Sequence, residues 1–100
     1  MAAGTYQTLF IPAGMTANTV IKSGPGRLIG VVASTVGTAS SVLVGDSITP
    51  SGALPGGTAV IGALPLNTPI QYYPMGPTPA FNGITVVGAA GNPAMTVVFE

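Results

Sequence analysis

Four side chains of this 100-residue chain carry a formal charge, Lys22, Arg27, Asp46 and Glu100, and they sum to zero. Both cations fall in "IKSGPGRLIG", residues 21–30, on either side of a Gly-Pro-Gly. Such a stretch raises three possibilities: a phosphate cradle, a catalytic loop, or a tight turn between two strands. A dinucleotide fingerprint needs G-x-G-x-x-G between a strand and a helix. Here the glycines are Gly24, Gly26 and Gly30, one residue too far apart, and the sequence that follows has strand character. The G-x-x-x-x-G-K-[ST] of a P-loop is absent. Pro25 followed by Gly26 instead suits the two central positions of a type II turn, where proline presets φ and glycine supplies a positive φ.

The remaining inventory is thin. Without histidine or cysteine there is no imidazole for a triad, no thiolate metal site and no disulfide. A glycosidase-like pair would have to use Asp46 and Glu100, half a sequence apart. Glu100 is expected to fray. Ser23 beside Lys22 makes a poor Ser-Lys dyad, since neighbours in a strand point to opposite faces. Calcium or magnesium wants several oxygen ligands together, and Asp46 stands alone. Its expected role is to close the turn "GDS" on nearby backbone N–H groups. No catalytic, cofactor-binding or metal residue is assigned, and the chain is not expected to be an enzyme or to carry a cofactor.

Partners are constrained by the same scarcity of charge. Charged residues make up 4% of the chain, against about 25% in an ordinary soluble domain. Two cations offset by two anions give no basic patch for nucleic acid. Near-zero net charge favours association. Apolar runs are broken every few residues, so no stretch of about 20 residues could span a membrane as a helix. No cationic segment precedes Lys22, so no secretory signal is expected. Tyr6, Tyr72 and Tyr73 could stack on a sugar or base, although aromatic rings mostly bury area. Tyr72 and Tyr73, adjacent in a strand, should face opposite ways, one into the core.

The elements that would position these groups are strands. Fifteen glycines and ten prolines are spread along the chain between short runs of Val, Ile, Thr and Tyr, the punctuation of an all-β domain. Eight strands are expected, at 5–11, 19–23, 27–35, 40–46, 58–64, 69–75, 83–89 and 94–100, and no helix. Residues 47–57 and 74–80 have the composition of loops. Alternation puts Met95, Val97 and Phe99 on one face of the last strand. It opposes Gln7, Leu9 and Ile11 to Tyr6, Thr8 and Phe10 in the first. In 27–35 it puts Leu28, Gly30 and Val32 opposite Ile29, Val31 and Ala33. Strands apolar on both faces suggest a second covering layer, which a neighbouring subunit could supply. The expected fold is a single domain over 1–100, an antiparallel β-sandwich, jelly-roll-like, with 1–4 as a flexible arm.

The runs "VIKSGPGRLIGVVAST" (20–35), "TASSVLVGDS" (38–47) and "FNGITVVGAAGNPAMTVVFE" (81–100) resemble a group of small β-rich virion proteins of tailed bacteriophages. In that group I-K-x-G-x-G leads to L-x-G-V-x-V, an Asp-containing turn follows, and the chain closes on G-[IL]-x-V…G…T-V-x-[YF]. The likeness covers about half of the chain and is one of strands and turns. It departs where Gly45 replaces the aromatic residue that usually precedes the turn aspartate. The resemblance implies a capsid decoration, cement or head-fibre protein, made in the host cytoplasm and carried on the capsid exterior. It also implies a homotrimer bound to the major capsid protein. The alternative expectation is a carbohydrate-binding fibre or tail module that stacks sugar on Tyr72 or Tyr73.

Overall fold

The computed structural model describes residues 6–14, 17–38, 42–65, 67–88 and 91–100. The arm expected over 1–4 lies outside them. Among the described residues there are eight strands and no helix: β1 Gln7–Ile11, β2 Thr19–Lys22, β3 Gly26–Ala33, β4 Val42–Gly45, β5 Val60–Leu64, β6 Tyr72–Ala80, β7 Ile84–Val86 and β8 Met95–Phe99. They form two four-stranded sheets, one ordered β1-β8-β3-β6 and the other β2-β7-β4-β5. Every ladder is antiparallel. Four of the ladders join the first strand to the last, the second to the seventh, the third to the sixth and the fourth to the fifth. The chain is thus one long nested hairpin. The β3–β8 and β4–β7 ladders gather its limbs into the two sheets.

The core lies between the sheets. Ile11, Leu28, Val31, Met95, Val97 and Phe99 enter it from the first sheet and Val42, Val44, Leu64, Ile84 and Val86 from the second. In β8 the period-2 pattern holds as expected, with Met95, Val97 and Phe99 buried and the residues between them half-buried. The expected alternation of β3 does not hold. Its register shifts between Leu28 and Gly30 against both neighbours. One extra residue there reverses the parity, so Leu28, Val31 and Ala33 are all buried while Val32 turns outward.

Residues 74–80, expected as a loop, belong to β6. Three of its nine residues are proline, Pro74, Pro77 and Pro79. A strand can carry that many only at the margin of a sheet, where the missing N–H groups leave no ladder bond unmade. β6 is such a margin.

The turn assigned to Gly24–Arg27 also needs correction. Gly26 does not have a positive φ; it opens β3, paired with Ala80. Its glycine serves a close approach instead. A Cβ at this position would run into the carbonyl oxygen of Glu100 and lie 2.8 Å from Cδ of Lys22.

Candidate functional site

Asp46 directly follows β4 and is buried. Its backbone N–H bonds the carbonyl of Ala59. Its carboxylate does not serve the local turn, where the bond is Ser47 N–H to the Gly45 carbonyl at 3.0 Å. Instead it accepts three backbone N–H bonds from the β6–β7 connection: Phe81 at 3.1 Å, Asn82 at 2.7 Å and Gly83 at 3.3 Å. Burial alone would raise its pKa. The bonds from Asn82, Phe81 and Gly83 favour the charged form more strongly and hold the carboxyl below its ordinary value. A carboxylate with its lone pairs so occupied is a structural cap, poorly suited to take up a proton from a substrate. The loop it holds presents Phe81 outward, 74% exposed.

Beside it, Thr85 of β7 ties down the 47–57 loop. Its hydroxyl donates to the Ser47 carbonyl at 2.7 Å and accepts from Thr49 N–H at 3.2 Å. Asn18, which the sequence reading passed over, completes the clasp. Its amide nitrogen donates to the carbonyls of Thr49 and Gly52, and its oxygen accepts from Gly88 N–H. Leu54 packs over Gly45, filling space that a larger side chain there would take. The outer side of the second sheet around Gly45 and Thr85 is therefore covered by the chain's own loop, while Leu43 and Val60 stay exposed. Part of the covering layer expected of a neighbour is intramolecular. Asn92, likewise unremarked in the sequence, holds the Pro12 and Pro93 carbonyls. Only a lone asparagine in each connection could have signalled either residue.

Among the described residues Asp46 makes no ion pair with the other charged groups. Glu100, expected to fray, extends the β8–β3 ladder by exchanging both backbone bonds with Arg27. Its carboxylate also meets the Arg27 guanidinium at 2.6 Å. Lys22 lays its stem against Gly26, and Ser23 is exposed. Neither arrangement forms a nucleophile with its base. Among the described residues no group of three or more His, Cys, Asp or Glu side chains is placed to hold a metal ion.

The outer face of the first sheet is of another kind. The ladders align Phe10, Thr96, Val32 and Tyr72 in one row across all four strands. Thr8, Val98, Gly30 and Pro74 form the next. Neither row contains a charged side chain. Phe10 is 60% exposed and Tyr72 47%. The Tyr72 ring lies across Gly30, where any Cβ would overlap it. Tyr73 points the other way, half-buried against the core, with its hydroxyl donating to the Pro69 carbonyl at 2.7 Å. The two tyrosines thus divide between core and surface as expected. No protein-family model, curated protein or solved structure matches this chain.

Proposed function

We propose that the chain is a non-enzymatic virion structural protein, a self-associating capsid decoration or cement subunit bound to the major capsid protein on the capsid exterior. The observation that carries this reading is a pair of adjacent uncharged rows on the outer face of the first sheet, which hold Phe10, Val32, Val98 and Tyr72. A β-sheet face of a free-standing protein is ordinarily kept wet by charged and polar residues. These two rows offer apolar area with no ion of their own to desolvate, which suits contact with other protein. Display of many copies on a symmetric shell adds weak contacts together through multivalency. The phage-protein resemblance of residues 20–35, 38–47 and 81–100 supports the same reading and implies three copies. The nested pairing of the strands supports the jelly-roll form of the sandwich.

The test is light scattering of the purified protein at micromolar concentration, together with co-sedimentation on capsid shells that lack it. Association and shell binding are expected. A monomer that leaves the shells bare would overturn the proposal. Tyr72 favours a second reading, a sugar-stacking module, because its ring stands on an open face over a glycine. A glycan array with no signal removes that reading.

A further inference from the structure

The four sheet margins of this sandwich are not alike. An edge strand exposes unpaired backbone N–H and C=O groups, and proteins blunt such edges with proline, charge or bulges. β6 carries three prolines and an irregular register against β3. β2 ends on Lys22, and its pairing with β7 skips Ile21. β5 is bulged at Ile61, which its ladder with β4 leaves out. β1 has none of these devices. Its five residues, Gln7 to Ile11, hold neither proline, glycine nor charge, and they pair with β8 residue for residue without a break. Among the described residues its far side has no ladder partner.

We infer that β1 is an association edge that takes β1 of a second copy of this chain, antiparallel, about a two-fold axis at Leu9. The occupant must be an extended backbone, because what the edge offers is a row of main-chain donors and acceptors. The second copy fits for two reasons. With neither strand charged, like strands meet without repulsion. The two-fold also sets Leu9 against Leu9, Thr8 against Phe10 and Gln7 against Ile11, so each face matches its own kind. Leu9 lies on the core side of the sheet, opposite buried Val97, yet is 37% exposed because the sheet stops there. Pairing covers it and joins two four-stranded sheets into one of eight. A contact built on one strand of about 17 Å sits at the weak end of specific interfaces, with affinity in the micromolar range on the order of 1 μM or weaker. This inference rests on the self-association reading. It departs from the three copies implied by the resemblance, since an isologous contact closes at two.

The chain has no cysteine, so a single Leu9→Cys replacement introduces its only thiol. Facing residues of an antiparallel ladder have Cα atoms about 4.5 or 5.5 Å apart, within the reach of a disulfide. Under mild oxidation Leu9→Cys is expected to cross-link at least about tenfold faster than Ser51→Cys in the exposed 47–57 loop. Leu9→Lys, which puts two ammonium groups face to face, is expected to weaken dimerisation by about tenfold or more. Ile70→Lys, a charge on an exposed residue outside β1, is expected to leave it unchanged. Melting curves of the variants show that each is folded. A wild-type chain that stays monomeric at about 100 μM overturns the pairing and the self-association reading together. Association that persists in Leu9→Lys, with no preference for cross-linking at position 9, overturns the pairing alone.

Discussion

The Asp46 carboxylate takes three backbone N–H bonds from residues 81–83, so removing it strands donors in a buried place. Asp46→Ala is expected to cost at least about 1–3 kcal/mol, the penalty of buried unsatisfied donors. For a chain of this size each kcal/mol lowers Tm by about 4–8 °C, which thermal unfolding followed by circular dichroism would read. The same cap sets a pH dependence. The folded pKa is depressed, so between the folded value and the ordinary carboxylate value of about 3.9 the unfolded chain binds more protons. Stability from this group is therefore full above that ordinary value and is lost as pH falls through the folded pKa. Asp46→Asn should flatten that fall in a series of melts from pH 5 downward. Arg27→Ala should behave differently. Its guanidinium is half exposed in the pair with Glu100, and a pair of that kind contributes about 0–1 kcal/mol.

At the scale of the elements, what the sequence made legible was governed by local chemistry. The period-2 pattern of Met95, Val97 and Phe99 could be read directly, because a strand buried on one face writes its register into alternate residues. β6 could not, since Pro74, Pro77 and Pro79 give a loop composition, and only the strand's place at a margin makes them acceptable. The bulge in β3 was hidden too. Gly30 falls in the expected strand 27–35 with Leu28 and Val32 on its face, but nothing local marks the register shift beside it or the Tyr72 ring that lies over it. Asp46 was legible as a group that binds backbone N–H, but its partners 35 to 37 residues away were not. Gly24 and Gly26 offer a direct check on these distinctions. A Cβ at Gly26 meets the Glu100 carbonyl, whereas one at Gly24 meets nothing within 4 Å. Gly26→Ala is expected to destabilise by about 1–3 kcal/mol, as overpacking does. Gly24→Ala should stay within about 0.5 kcal/mol, as surface changes do, and urea titration of the pair separates the two outcomes.

For the whole molecule, the distribution of charge decides how association should respond to its surroundings. The ion pair of Arg27 and Glu100 sits at one end of the first sheet, in the row beyond Val98 and outside the two uncharged rows through Phe10, Val32 and Tyr72 and through Val98 and Pro74. A contact made by those rows, or by the β1 edge beside them, desolvates apolar area and backbone groups but no ion. Salt acts on such a contact through water rather than through screening. Raising sodium chloride through a range where the Debye length shrinks from above about 10 Å to below 8 Å should leave the dissociation constant within roughly twofold. Sulfate at equal ionic strength should tighten it, because excluded salts strengthen apolar burial. Calorimetry should give a negative heat-capacity change of association, the mark of apolar surface leaving water. A dissociation constant that rose tenfold or more in sodium chloride alone would mean that Arg27 and Glu100 exchange partners between copies. The two uncharged rows would then not be what holds the molecules together.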